Sequence, residues 1–279
     1  LGCGQTGLSI ARYLDIDIKI SFYDERKAAV DNAKNLFGTK QNLYFYGNLE
    51  ENFFETVDFV AISPGVDSRH PIIKKIIKNG VPFHNDISLF FEKNTLLGTK
   101  VIGVTGTNGK TTVCSMIEQM ALEFGLKAKA VGNIGDPILD IKQLDALDLL
   151  IIELSSFQLE MVHKAKIDVG VFLNISDDHM DRYNSFKEYF KVKSKIFDLS
   201  RINIINRDEQ NLNILKNKAT LSIGVSNPNT KGDYILTNNS LGAYLERGSN
   251  LVADLTNLKL IGEHNKLNIM AAIACMQST

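Results

Sequence analysis

The sequence predicts an α/β protein: two successive, mostly parallel sheets covered by helices, the second carrying a small antiparallel addition. Three observations carry that expectation. Short, near-continuous apolar runs alternate with helical segments at the spacing of βαβ crossovers, as strands buried on both faces do. A glycine turn, Gly2-x-Gly4-x-x-Gly7, opens the chain where a helix begins, as in a Rossmann-like N-terminal part, with a structural tight turn as the alternative. A second glycine loop, Gly103-Val104-Thr105-Gly106-Thr107-Asn108-Gly109-Lys110-Thr111-Thr112, lies between an apolar strand and a helix, which makes the central part a phosphate-loop ATPase-type domain.

Taken in order, residues 8–14 read as a helix, 18–23 as a strand, 26–37 as a helix and 43–46 as a strand. Residues 57–62 read as a buried strand that ends in Ser63-Pro64-Gly65. A helix over 71–79, a short strand over 81–83 and the segment 87–92 complete this part. Little periodicity marks 93–99, so the division falls there, with residues 1–97 as one domain and 98–279 as the next. The second domain restarts with a strand at 101–104 and a helix from 111. Strands over 128–131, 147–152, 169–175 and 202–205 follow, with helical segments between them, one of them at 185–198. Beyond Leu221 the runs shorten and alternate around Asn, Gly and Ser turns through 234–236 and 243–245, the pattern of an antiparallel addition. A last helix opens near 262–268 and continues through 269–274.

With 279 residues, 44% of them hydrophobic, the chain can fill two cores of ordinary size. A net charge of −1 leaves no electrostatic footprint for nucleic acid or an anionic membrane. Small molecules are therefore the expected partners, and the expected state is a monomer. Cys3, Cys114 and Cys275 lie far apart with neither disulfide nor zinc spacing, which fits a reducing cytoplasm. No apolar run approaches the roughly 18–20 residues of a membrane span. The chain opens at Leu1 directly on a glycine turn that normally follows a strand, and it stops inside an apolar helical pattern. It reads as a fragment cut at both ends.

The chemistry-bearing residues sit at strand ends. In the glycine loop, backbone N–H groups and the positive helix N-terminus suit phosphates, Lys110 would reach the terminal ones, and the Thr111 hydroxyl would serve Mg²⁺. Val104 stands where the strict pattern has glycine, so this is a close variant. The run 149–152 ends in Glu153, where phosphate-loop proteins keep a metal-holding acid; a solvated glutamate is the ordinary alternative. Residues 177–181 crowd Asp177, Asp178, His179 and Asp181 together, which suits Mg²⁺ or Mn²⁺ better than structural zinc, with helix-capping aspartates as the alternative. Asn265 and Asn268 lie one turn apart and could read an adenine edge, or Asn265 could cap the helix. Asp24 follows the first glycine turn by about 20 residues and keeps an NAD reading open.

Taken together, these residues resemble the Mur ligase family, ATP-dependent amide-forming enzymes of peptidoglycan precursor synthesis. The markers are Thr105-Gly106-Thr107-Asn108-Gly109-Lys110-Thr111, Glu153, Asp178-His179-x-Asp181, Tyr189-x-x-x-Lys193 and Gly262-x-His264-Asn265-x-x-Asn268, in an order that covers residues 103–268. Three stretches, 132–135, 153–160 and 178–183, sharpen the resemblance to the branch that adds D-glutamate to UDP-N-acetylmuramoyl-L-alanine. The resemblance implies that ATP activates a carboxylate to an acyl phosphate, which the amine of D-glutamate then attacks. It implies that Gly106, Thr107, Asn108, Gly109, Lys110, Thr111 and Thr112 hold the nucleotide phosphates, and that Asn265 and Asn268 face adenine. Thr111, Glu153, His179 and Lys193 would serve metal, Lys193 as a carbamate, and Lys110, Glu153, His179 and Lys193 would be the catalytic set. Asn133 and His179 would contact the substrate, and Gly4, Gln5, Thr6, Asp24, Ser63 and Gly65 would hold its uridine diphosphate end. In this family a third domain receives the amino acid, so the chain alone is expected to bind its ligands weakly and not to turn over. The alternatives are another Mur ligase or a folylpolyglutamate-type ligase. An NAD-dependent oxidoreductase would leave the phosphate loop without a role, and a nucleotide switch protein would leave the first domain without one.

Overall fold

The computed structural model describes residues 1–14, 18–38, 42–47, 53, 56–94, 96, 98–133, 135–162, 164–240, 242–258 and 262–279. Ile134, in one of the stretches that sharpen the family resemblance, and Leu97, at the expected domain division, lie outside the described residues. Contacts divide the chain into two compact units. The first comprises residues 1–95, 136–142 and 160–165; the second comprises 96–135, 143–159 and 166–279.

The first unit alternates α1 (Gln5–Leu14), β1 (Ser21–Asp24), α2 (Lys27–Phe37), β2 (Leu43–Tyr46), β3 (Val60–Ala61), α3 (Pro71–Lys78), β4 (Phe83–His84) and α4 (Asp86–Lys93). β1 pairs parallel with β2, and β3 parallel with β4. The strand expected over 57–62 is cut to β3 because its strand partner β4 is itself two residues long. α3 starts where Pro71 supplies a preset φ and His70 Nδ1 accepts the Ile72 N–H at 3.1 Å. Its residues Ile72, Ile73 and Ile76 form one stripe, buried against Tyr23, Val60 and Ile62. At α4, Asn85 Oδ1 accepts the Ser88 N–H at 2.9 Å, an ordinary Asx cap.

The second unit runs β5 (Lys100–Thr105), α5 (Lys110–Glu123), β6 (Ala128–Gly132), β7 (Leu149–Glu153), α6 (Ser156–Met161, of which residues 156–159 belong to this unit), β8 (Ile167–Phe172), α7 (Phe186–Ser194), α8 (Ile196–Leu199) and β9 (Ser200–Asn206). It continues through β10 (Leu221–Gly224), β11 (Tyr234–Asn239), β12 (Gly242–Arg247), β13 (Asn250–Asp254) and α9 (Glu263–Met276). Among the described residues its strands form one nine-stranded sheet in the order β13-β12-β11-β10-β9-β8-β5-β7-β6. Pairing is parallel from β6 to β11 and antiparallel from β11 to β13. α5 sets Val113, Ile117 and Ala121 four residues apart, so they make a single stripe against Ile102, Val104, Ile151 and Val171 of the sheet. Met270, Ala271, Ala274 and Cys275 of α9 enter the same core, where each fully buried large aliphatic side chain contributes about 1.5–3 kcal/mol.

Four expectations are corrected here. The strand read over 169–175 stops at Phe172, because the chain turns toward the glycine loop after Leu173 N–H bonds to Thr105 O at 3.0 Å. The helix read over 185–198 divides at Lys195 into α7 and α8. The antiparallel addition begins only at β11, since β10 pairs parallel on both sides. Asn265 does not cap α9: Gly262, at φ 98°, holds the cap position and the helix is already under way at Glu263. Among the described residues no helix is long and apolar enough to cross a membrane.

Candidate functional site

β5 delivers the chain to Gly106 and α5 begins at Lys110, so four residues make the turn. Gly109 caps α5 in the left-handed region (φ 83°, ψ −9°), and a Cβ there would lie 2.6 Å from Asn268 Oδ1. Both conformation and space therefore call for glycine. The first intrahelical bond is Val113 N–H to Gly109 O, so the N–H groups of residues 110–112 stand at the positive end of α5 as donors for an anion.

The loop is braced from the side by Asn174, just beyond β8. Thr107 N–H donates to Asn174 O at 3.0 Å and Asn108 N–H to Asn174 Oδ1 at 2.9 Å, while Asn174 Nδ2 donates to Asn108 O at 3.0 Å. The Thr107 hydroxyl accepts from Ser176 N–H at 3.1 Å and lies 3.3 Å from the Tyr189 hydroxyl. Lys110 Nζ donates to Thr107 O and Lys193 Nζ to Gly106 O, each at 2.8 Å.

At the end of β7, Glu153 is only 1% exposed. Its Oε2 accepts the Thr111 hydroxyl at 2.8 Å and its Oε1 accepts Asn133 Nδ2 at 2.9 Å. Gly132, at φ 107°, lets β6 turn against Glu153, whose carbonyl oxygen would be 2.5 Å from a Cβ there. Three expected site residues, Thr111, Asn133 and Glu153, are thus brought together. A hydroxyl and a carboxylate side by side are the hard oxygen donors that Mg²⁺ takes alongside phosphate and water, so the pair fits that ion.

The acidic loop behaves differently from its reading as a cation cluster. Among the described residues no group of three or more His, Cys, Asp or Glu could hold a metal ion. Asp178 Oδ1 accepts the His179 N–H at 2.9 Å, and its Oδ2 lies 3.4 Å from His179 Nε2. His179 sits at φ 55°, its ring packed on Phe157 (centroids 4.8 Å apart) and near Tyr189 (6.5 Å), with the side chain 45% exposed. The Arg182 guanidinium carbon lies 3.8 Å from the centroid of the Phe157 ring, which also meets the Tyr183 ring at 6.5 Å. Lys193, 2% exposed, has its Nζ 5.1 Å from the Tyr189 ring centroid. Burial, and then the neighbouring Lys110, push its ammonium from 10.5 down to about 7. No hydrogen bond joins His179 or Lys193 to the Thr111–Glu153 pair among the described residues.

Beside the loop lies a cleft of about 400 Å³ lined by Asn108, Gly109, Thr112, Asn206, Asn265 and Asn268, with Asn268 Nδ2 3.4 Å from Asn265 Oδ1. Asn174 and Asn206 were not singled out from the sequence. The signal that could find them is their position at the C-terminal ends of parallel strands, where ligands of doubly wound sheets bind.

The first unit has a cleft of its own, also about 400 Å³, lined by Gly4, Asp24, Arg26, Ser63, Gly65 and His70. Gly2 sits at φ 83°, and a Cβ on Gly7 would fall 1.8 Å from Gly2 O, so the turn needs both glycines. Asp24 accepts Cys3 N–H at 2.8 Å and three donors of Arg26 between 2.9 and 3.0 Å, which fills a carboxylate's four lone-pair sites. Burial works against its ionisation, but the Arg26 guanidinium and the two N–H groups prevail and hold the carboxyl at about 2. An aspartate so occupied supports the glycine turn and does not offer itself to a ribose diol. Gln5 and Thr6 open α1 without lining this cleft, and Gln5 is exposed.

Comparison with known proteins gives two family matches: the Mur ligase middle domain over residues 104–276, and the Mur ligase MurD-like N-terminal domain over residues 1–84. The chain is 34% identical over 289 residues to the UDP-N-acetylmuramoylalanine–D-glutamate ligase of Nitrosomonas europaea, and 38% identical over 280 residues to that of Buchnera aphidicola subsp. Acyrthosiphon pisum. In both cases 98% of this chain aligns, but it spans only 61% of the relative's length. Among solved structures it is similar to a UDP-N-acetylmuramate:L-alanyl-gamma-D-glutamyl-meso-diaminopimelate ligase from Neisseria meningitides, with a TM-score of 0.62, 18% identity and coverage of 99% of this chain and 91% of that one. A UDP-N-acetylmuramate-alanine ligase from Thermotoga maritima gives 0.54 at 20% identity, covering 99% and 63%. At these identities the two structures establish the α/β fold.

Proposed function

The chain belongs to the Mur ligase family, and from that membership we propose that it forms the substrate- and ATP-binding parts of a ligase that adds D-glutamate to UDP-N-acetylmuramoyl-L-alanine. The observation that carries the ATP half of this reading is the Thr111–Glu153–Asn133 cluster at the mouth of a braced glycine loop. The two relatives named above support the choice of substrates.

ATP supplies the phosphoryl group that activates the substrate carboxylate, and Mg²⁺ neutralises charge during its transfer. The N–H groups of residues 106–112 nearest α5 and the Lys110 ammonium hold the phosphates, Thr111 and Glu153 hold Mg²⁺, and Asn265 and Asn268 meet adenine. Asn133, fixed by Glu153, stands ready to orient the substrate. His179, held by Phe157 and Asp178, serves the same end of the site. Gly4, Ser63 and Gly65 line the uridine diphosphate end within residues 1–97, with Asp24 fixing the glycine turn and Gln5 and Thr6 at the start of α1, and residues 98–279 carry the ATP part.

Lys193 is the residue we assign to carbamate formation. Only a neutral amine takes up CO₂, and an ordinary lysine is almost wholly protonated at neutral pH. Burial beside Lys110 leaves a large neutral fraction near pH 7, which supports that assignment. The protein acts in the cytoplasm as a monomer in this reading.

Thermal-shift titrations with UDP-N-acetylmuramoyl-L-alanine, Mg-ATP and NADH, run in parallel, test the proposal. Stabilisation by the first two and not by NADH is expected. A shift with NADH alone would return the first glycine turn to a dehydrogenase and overturn it.

A further inference from the structure

Asn206 ends β9, next to the strand that leads to Asn174, and it lines the cleft shared by Gly109, Asn265 and Asn268 while being only 8% exposed. Which way its side-chain amide points follows from its neighbours. The Asp208 N–H can only donate, and it lies 3.1 Å from Asn206 Oδ1. The oxygen therefore faces the turn and the NH₂ group faces away from it, because a flip would set two donors against each other.

The turn is itself fixed. Asp208 accepts the Val225 and Ser226 N–H groups at 2.5 and 3.2 Å. The buried Arg207 donates to Gly224 O at 2.9 Å, to Tyr234 O at 2.7 Å and through Nε to Ser226 O at 2.9 Å. The backbone that carries Asn206 is thus held from both sides, while nothing among the described residues accepts from its Nδ2. A donor whose direction is already set at the wall of the cleft meets a bound acceptor without reorienting, which favours a ligand group that accepts at this place.

The position identifies the acceptor. Phosphates belong at the N-terminus of α5, and the cleft extends from Gly109 and Thr112 toward Asn265 and Asn268. A purine base reaching into it brings flat ring nitrogens that accept, and an amino group for which asparagine oxygens are suitable acceptors. We infer that Asn206 is a specificity-determining residue of the nucleotide site, its side-chain amide donating to a ring nitrogen of adenine. This rests on the reading that the cleft takes ATP.

The test couples one protein atom to one ligand atom. Binding of Mg-ATP and of its 1-deaza, 3-deaza and 7-deaza analogues is measured by calorimetry on the unsubstituted protein, Asn206→Ser and Asn206→Asp, with inorganic tripolyphosphate as the base-free probe. Serine keeps an oxygen for the Asp208 N–H but no donor that reaches the cleft; aspartate keeps the shape and replaces the donor by an acceptor. Asn206→Ser should bind ATP about 5- to 10-fold more weakly, the value of one lost hydrogen bond, and Asn206→Asp more weakly still, with tripolyphosphate binding unchanged. One of the three analogues should bind the unsubstituted protein about 5- to 10-fold less tightly than ATP, and that penalty should disappear in Asn206→Ser.

If the analogue penalties are the same in Asn206→Ser as in the unsubstituted protein, or if both variants bind ATP normally, the inference is overturned while the ATP reading stands. If the unsubstituted protein binds tripolyphosphate but not ATP, the ATP reading itself falls and takes the inference with it. Should neither variant fold, the analogue series decides alone: no analogue weaker than ATP on the unsubstituted protein overturns the assignment.

Discussion

Replacing Lys193 by methionine tests the electrostatics of the phosphate-loop unit, because it removes the charge and keeps most of the buried stem. In the protein, burial and then Lys110 lower the Lys193 pKa from 10.5 to about 7. Between those two values the unfolded chain carries a proton that the folded chain lacks, so the stability of the lysine protein rises with pH across that window. The slope is about 1.4 kcal/mol per pH unit, and the full penalty, present below pH 7, is on the order of 5 kcal/mol. Loss of the bond to Gly106 O adds a pH-independent offset of about 1 kcal/mol. Urea unfolding of both proteins in CO₂-free buffer, followed by circular dichroism and tyrosine emission from pH 6.5 to 9.5, reads the difference directly. Relative to the lysine protein, Lys193→Met should lose about 3 kcal/mol of advantage between pH 7 and 9.5. Parallel stability curves over that range would refute the reasoning, since they would mean that the folded protein holds Lys193 charged.

Three further outcomes are expected. Gly109→Ala forces a Cβ into the left-handed region, at about 1–2 kcal/mol, and drives it to within 2.6 Å of Asn268 Oδ1; Mg-ATP affinity should fall at least about 10-fold with UDP-sugar binding intact, and unchanged ATP binding would contradict the geometry. In Arg207→Lys a single ammonium cannot reach Gly224 O, Ser226 O and Tyr234 O together, so denaturant unfolding should show a loss of about 2–4 kcal/mol; a loss below about 0.5 kcal/mol would show that these guanidinium bonds do not stabilise the turn. Asp24, held at about 2, stabilises the fold above the normal carboxylate pKa and ceases to do so as pH falls through 2. Asp24→Asn should therefore cost about 2 kcal/mol at pH 6 and clearly less at pH 3 by thermal melting, and an equal gap at both would speak against the ionised pair.

Much of the phosphate-loop unit is legible in the sequence because its constraints are local. Gly109 needs a conformation that glycine adopts without strain, and Glu153 is the one charged residue closing a buried apolar run, at the C-terminal end of an inner strand. Lys193 stood out through the resemblance, since four lysines share its stretch and only the folded packing shows which one is buried. Asn174 and Asn206 are less visible: each is one polar residue after an apolar strand, and only the strand order β5-β8-β9 lines them up beside the glycine loop. The acidic run shows that nearness in sequence does not by itself set a shared geometry. Asp177, Asp178 and Asp181 are close in sequence, but His179 turns the backbone through φ 55° and Asp178 is engaged with the His179 backbone and ring. The cap of α9 escaped because glycine at that position carries no side-chain signature, whereas Asn265 does.

The place of β5 in the sheet also bears on how the chain is made. Its two edges pair with β7 and β8, which follow it by roughly 50 and 70 residues, whereas β11, β12 and β13 pair as chain neighbours. Neighbouring strands of that kind zip in about 1–10 μs. At a synthesis rate of about 5–20 residues per second, β5 waits roughly 3–14 s for its second partner, with one hydrogen-bonding edge unpaired for all of that time. The strand that later carries the glycine loop is thus the one most dependent on early cover from α5, and slowing translation just after it should raise the aggregated fraction of newly made chains.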